Sequence, residues 1–107
     1  MNYEYKAKVI NVVDGDTIDA LVDLGFKVQI MQRLRLTRVD TPERTQPGYA
    51  AARDFVRGLI EGKEVTITTH KVSKWGYFLA DVVVDGRDVS DLLIVSNLGK
   101  PYDGGTK

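Results

Sequence analysis

Cysteine is absent from the 107 residues. That excludes disulfides and thiolate metal centres. There is one histidine, His70, so a multi-histidine zinc cage is excluded, and a Ser-His-Asp triad would need that one ring beside a serine. No run of about 18 apolar residues occurs, so no membrane span is expected. The first residues, Met1-Asn2-Tyr3-Glu4-Tyr5, lack the apolar core of a signal peptide. A cytoplasmic location is therefore expected, with secretion of a longer precursor left open. Net charge is also missing: fifteen basic and fifteen acidic residues balance. That argues against a protein that coats nucleic acid by bulk charge, yet permits a local basic patch beside an acidic pocket. With 43% apolar residues and three prolines, residues 1–107 are expected to fold as one domain with a modest core, monomeric.

The stretch around which the rest is arranged runs from Arg33 to Glu43, Arg-Leu-Arg-Leu-Thr-Arg-Val-Asp-Thr-Pro-Glu. Val28, Ile30, Leu34 and Leu36 share one parity, and Gln29, Arg33, Arg35 and Thr37 the other. Side chains alternate across a strand, so both arginines leave one face and the leucines the opposite one. Val39 falls on the polar parity, which predicts a break near Thr37 to Val39, at a bulge. Pro42 cannot donate to a ladder and pushes Thr41 toward extended geometry. Asp40 to Glu43 should therefore be a stiff loop. Arg33, Arg35, Arg38 and Arg44 cluster here; for charges alone, the plain alternative is a solvated strand edge.

Tyr3 to Val13 reads as a first strand. Asp14-Gly15 is a turn signal, and Thr17 to Val22 restarts an extended run, which makes a hairpin with carboxylates at its tip. Ordinary turn chemistry explains Asp14 and Gly15 equally well. Asp16 fits that explanation least, since it lies where the strand resumes. Asp23-Leu24-Gly25 turns into the third strand of an antiparallel meander. Thr45 to Gly48 is a polar, turn-rich flap. Tyr49 to Ile60 carries Ala52, Phe55, Val56 and Leu59 at helical spacing, with Arg53 and Arg57 read as solvent charges and Gly62 as the stop. Lys63 to Lys71 is a fourth strand with Val65 and Ile67 inward and His70 at the surface or half buried. Lys74-Trp75-Gly76 turns into a fifth, Tyr77 to Val84. Val89 to Leu98 reads as a short helix with Val89, Leu92, Leu93 and Ser96 on one face, capped by Asp88 or Ser90 and stopped by Gly99. Lys100 to Lys107 should be loose. The class is α+β, mainly β, and the order of elements matches a five-stranded OB-type barrel with two short helices.

Asp16, Asp40 and Glu43 sit beside turns that can converge at one rim of such a barrel. Hard oxygen ligands suit Ca²⁺ or Mg²⁺. Few carboxylates leave much of the coordination shell to water, so binding should be weak without substrate. Arg35 can reach a phosphate held on the ion, and Glu43 can activate a water for in-line attack. Phosphoester hydrolysis is the enzyme reading these residues favour.

Asp14-Gly15-Asp16-Thr17, Arg35 five residues before Asp40, and Asp40-Thr41-Pro42-Glu43 together resemble the staphylococcal nuclease, or thermonuclease-like, family. Lys74-Trp75-Gly76 with Leu79-Ala80-Asp81-Val82, and the ending Gly99-Lys100-Pro101-Tyr102-Asp103-Gly104-Gly105, extend the likeness over nearly the whole chain. The resemblance implies a nuclease-like OB-fold domain, here without the family's C-terminal helical extension. It implies Ca²⁺ as cofactor and DNA or RNA as substrate, cut to 3′-phosphate products. Asp16 and Asp40 would bind calcium by carboxylate and Thr41 by its carbonyl. Glu43 would be the base and Arg35 the phosphate ligand. Lys74, Tyr77 and Tyr102 would lie on the substrate side.

One position departs from the pattern. The family's second arginine, after its Lys-aromatic-Gly segment, is Tyr77 here, and a neutral phenol cannot do a guanidinium's work. Slow catalysis is expected. Two other readings stay open: a non-catalytic module binding nucleic acid or protein on the same fold, and a purely structural calcium site.

Overall fold

The computed structural model describes residues 3–72 and 78–102. The Lys74-Trp75-Gly76 turn, Tyr77 and the tail beyond Tyr102 lie outside these residues. Three strands open the chain: β1 (Tyr3–Asp14), β2 (Thr17–Asp23) and β3 (Gln29–Leu36). They form the antiparallel meander that their alternation predicts, Val9 facing Ala20 and Ile18 facing Leu34. On β3 the leucines point inward, with Leu34 and Leu36 buried, while Arg33 and Arg35 leave the other face.

The parity break after Leu36 is a corner rather than the expected bulge. Arg38 takes a left-handed backbone (φ 64°), which swings Val39 into the core and starts a two-residue strand, β4 (Val39–Asp40). Helix α1 (Tyr49–Ile60) follows, burying Ala52, Val56 and Ile60. These are the inward positions of its 3.6-residue period. Gly62 (φ 80°) releases the chain into β5 (Glu64–Val72), and β6 (Phe78–Val84) returns antiparallel to it. The strand order is β3-β2-β1-β5-β6, and β3 pairs parallel with β6 through Leu34↔Phe78 to Leu36↔Ala80. That last pairing closes the five-stranded barrel.

A tight turn at Asp85-Gly86 leads to β7 (Arg87–Asp88) and α2 (Val89–Val95). Asp88 is the cap, accepting from the Asp91 N–H. Ser90 is not a cap; its hydroxyl donates to the Thr37 carbonyl at 2.6 Å. The helix ends three residues before the expected Leu98, and Ser96 is exposed. Asn97, not Gly99, supplies the left-handed stop (φ 59°). The Leu98 N–H reaches the Leu93 carbonyl and the Asn97 N–H the Ile94 carbonyl, a Schellman closure. Gly99 is needed for space: a Cβ there would stand 2.6 Å from Val39 Cγ2. That approach lets β8 (Lys100–Pro101) pair with β4, Asp40 opposite Lys100. The start of the expected loose tail is thus an ordered strand. Among the described residues, no helix is long and apolar enough to cross a membrane.

Candidate active site

The β1–β2 hairpin tip and the β4 loop meet because small residues let them. A Cβ on Gly15 would lie 2.9 Å from Ala52 Cβ and 3.0 Å from Thr41 Cγ2. Only glycine admits both α1 and the loop at that distance. Helix α1 also holds the hairpin from behind. Arg57 donates to the Val12 carbonyl through Nε and Nη2, and Glu61 accepts from the Val12 N–H at 3.0 Å. Val12 borders a register shift in β1, where the strand ladder leaves these groups to side chains. Tyr49 donates to Asp14 Oδ1 at 2.7 Å and lies 3.2 Å from the Val13 carbonyl. Neither role is visible in the one-dimensional pattern, in which Arg57 reads as a solvent charge and Tyr49 as the start of a helix.

Asp16, Arg35 and Asp40 converge. Arg35 Nη2 lies 3.4 Å from Asp16 Oδ2 and 3.4 Å from Asp40 Oδ1. Its Nη1 donates to the Leu36 carbonyl at 2.9 Å, and its Cζ sits 5.4 Å from the centre of the Tyr102 ring. The guanidinium is therefore oriented from three sides. The Thr41 N–H donates to Asp16 Oδ2 at 3.2 Å, tying the β4 loop to the hairpin. Glu43 lines the same groove, of about 290 Å³, with Asp14, Asp16, Arg35 and Asp40. The Glu43 turn is closed by Gln46, whose Oε1 accepts from the Glu43 N–H at 2.7 Å while its own N–H donates to the Glu43 carbonyl. Gln46 lies in the segment read as a flap, and its signal was a polar residue three positions after Glu43.

The arginine cluster divides. Arg33 pairs with Asp19 through both oxygens, at 2.8 and 3.1 Å. Arg38 turns away to α2, with Nη2 2.9 Å from Asp88 Oδ2 and Nη1 2.9 Å from Asp91 Oδ1. Lys74 and Tyr77, expected on the substrate side, lie outside the described residues.

Beside this corner, Asp81 accepts from the Thr37 hydroxyl, and His70 Nε2 lies 2.9 Å from its other oxygen. Burial pushes the Asp81 carboxyl up, but the bonds from Thr37 and His70 and the charge of Arg38 outweigh it and hold the carboxyl below its usual value. A depressed carboxylate stabilises the fold above its unfolded pKa of about 3.9, and that stability is lost as pH falls through the lower folded value. Asp81→Asn should therefore be less stable than the native chain near pH 6. The gap should narrow below pH about 4. Urea unfolding at a series of pH values checks this.

Thr41 Oγ1 is buried and has no hydrogen-bond partner. Replacing the hydroxyl with a methyl removes an unmet polar group without changing shape. Thr41→Val should raise unfolding stability by about 1 kcal/mol, read by denaturant titration.

The donor set suits a hard cation. Two carboxylates already converge on one positively charged nitrogen, the available ligands are oxygens, and the only imidazole is engaged at Asp81. Among the described residues no group of three or more acidic, imidazole or thiol side chains is placed to hold a metal ion by itself; water and substrate would have to supply the rest of the shell.

A family model for staphylococcal nuclease homologues matches residues 33–102, more than half the chain and the whole span from Arg33 through the loop to Tyr102. The chain belongs to the staphylococcal nuclease family. An uncharacterized endonuclease of Escherichia coli O157:H7 is 31% identical over 97 residues, which is 90% of this chain and 60% of the relative. Micrococcal nuclease of Shigella flexneri is 33% identical over 79 residues, 74% of this chain and 42% of the relative. Staphylococcal-like nuclease CAN1 of Arabidopsis thaliana is 26% identical over 70 residues, 65% and 22%. The chain thus spans little more than half the length of such relatives, or less. Within this staphylococcal nuclease domain, the residues brought to one groove are those of the Asp-Gly-Asp-Thr and Asp-Thr-Pro-Glu segments.

Proposed function

We propose that this domain is a Ca²⁺-dependent nuclease that hydrolyses phosphodiester bonds of DNA or RNA and leaves 3′-phosphates. The observation that carries the reading is one guanidinium nitrogen 3.4 Å from two carboxylates, with Glu43 lining the same groove. Asp16, Asp40 and the Thr41 carbonyl would hold the ion, whose chemistry there is to neutralise phosphate charge. Were a cation to take up the charge of these carboxylates, Arg35 Nη2 would be free to turn to the phosphate oxygens, its other nitrogen still fixed on Leu36. Arg35 then orients the phosphodiester and stabilises the charge that builds on it. Glu43 takes a proton from the attacking water. The new P–O bond forms opposite the 5′-oxygen, which departs with the bonding electrons and is protonated by solvent. Beyond Asp40 and Thr41 a second cleft, about 750 Å³, runs between Gln46, Asn97 and Tyr102. It has room for an adjoining nucleotide.

Incubating the native protein at high concentration with DNA or RNA, with millimolar calcium or with chelator, tests the reading. Calcium-dependent scission with 3′-phosphate ends is expected; no scission under those conditions rejects it. Tyr77 favours the second reading, a binding module that has given up chemistry. Tyr77→Arg separates the two. A nuclease lacking only that charge should gain up to about 10²-fold in cleavage rate at unchanged calcium affinity, whereas a module should gain nothing.

A further inference from the structure

Arg38 is the unusual residue of the corner between Arg35 and Asp40. Its φ of 64° lies in the region that side chains with a Cβ avoid. Few features of the corner are left loose. The Thr37 N–H donates to the Ala80 carbonyl, the Tyr102 N–H donates to the Arg38 carbonyl at 3.0 Å, and Ser90 donates to the Thr37 carbonyl. The guanidinium meets Asp88 and Asp91 at 2.9 Å each and Asp81 at 4.0 Å. Asp88 is the cap of α2 and Asp91 lies in its first turn. These carboxylates suit the helix N-terminus, yet together they require a counter-charge.

We propose that Arg38 is a positioning residue: its ion pairs with the start of α2 hold the left-handed corner that sets Asp40 and Thr41 against Arg35 and Asp16. The guanidinium faces away from the groove, so it acts through backbone geometry. The chain from Arg35 to Asp40 must reverse within five residues for both side chains to reach one point. A left-handed residue in that link achieves this. The side-chain clamp offsets the cost of the conformation.

This rests on the nuclease reading only for its activity measurement. Hydrogen exchange of the Thr41 amide in the ion-free protein reads the corner directly, because that N–H is held by Asp16. Arg38→Ala keeps a Cβ and loses the clamp, so Thr41 should exchange about tenfold faster, with Val9 and Ile67 at native rates. Arg38→Gly and Arg38→Asn also lose the clamp but tolerate positive φ, and should return Thr41 to within about threefold of native. Asp91→Asn removes one ion-pair partner at a side chain that is 61% exposed, so folding is not at stake. It should move Thr41 the same way by a smaller factor. Cleavage rates should follow the same order. Native exchange at Thr41 in Arg38→Ala overturns the assignment. So does a Gly or Asn variant as fast as Ala, since the charge alone would then matter. Equal acceleration at Val9, Ile67 and Thr41 also overturns it, as general destabilisation. A native protein that cleaves nothing rejects the nuclease reading, and the amide rates then decide the role of Arg38 by themselves.

Discussion

Glu43→Gln is expected to slow phosphodiester cleavage by about 10²–10⁴-fold, the usual contribution of a general base. The amide has nearly the shape of the carboxylate but cannot accept the water's proton. The surrounding turn should survive, because Gln46 binds the Glu43 backbone N–H rather than the side chain. Calcium affinity should change little, since Asp16 and Asp40 form the convergent pair proposed to hold the ion. Single-turnover cleavage and calcium titration, run side by side, separate the two quantities. A variant that still cleaves at the native rate would remove Glu43 from the chemistry. One that loses calcium together with cleavage would make it a ligand instead.

Arg35→Ala should produce two effects of opposite sign. Cleavage should fall by about 10²–10³-fold, as when one preorganised donor to a developing anion is removed. Calcium binding without nucleotide should become tighter. The Arg35 guanidinium lies 3.4 Å from both Asp16 and Asp40 and would compete with a metal for their charge. Deleting it removes the guanidinium that the two carboxylates share, one of them largely buried. Like charges brought together favour any cation that joins them. Calorimetric titration with Ca²⁺ alone reads this directly, and weaker binding in Arg35→Ala would contradict the shared-site geometry. Tyr102 should respond too: it loses the cation against its ring, so its fluorescence should change on substitution.

Both results trace to a sequence signal that was readable in part. Alternation on β3 placed Arg35 opposite Leu34 and Leu36, because a period of two leaves no choice of face once the leucines are buried. The 3.6-residue period of Ala52, Phe55, Val56 and Leu59 gave the inner face of α1 in the same way, though the deepest side chains are Ala52, Val56 and Ile60, with Phe55 and Leu59 packed partly buried beside them. Gly62 was legible because positive φ selects glycine and its few substitutes. Other positions broke that logic. Gly99 resembles a helix stop but serves to let β8 approach Val39, while Asn97 makes the stop. Arg38 looks like one more basic residue in a cluster, yet it occupies a backbone conformation usually reserved for glycine. Its reason is on α2, some fifty residues along the chain.

The residue order by itself determined the five barrel strands, the two helices and most of their inner faces, and it singled out the groups proposed to meet a phosphate and a hard cation. Those properties depend on near neighbours and on repeating periods, which a single chain displays. Only the tertiary structure decided that Asp16 and Asp40 share one nitrogen of Arg35, that Arg33 and Arg38 are drawn off to other carboxylates, and that Arg57 and Tyr49 brace the hairpin. Those pairings join residues far apart in the chain, and the strength of an ion pair depends on a separation of a few ångströms that exists only after the barrel has closed.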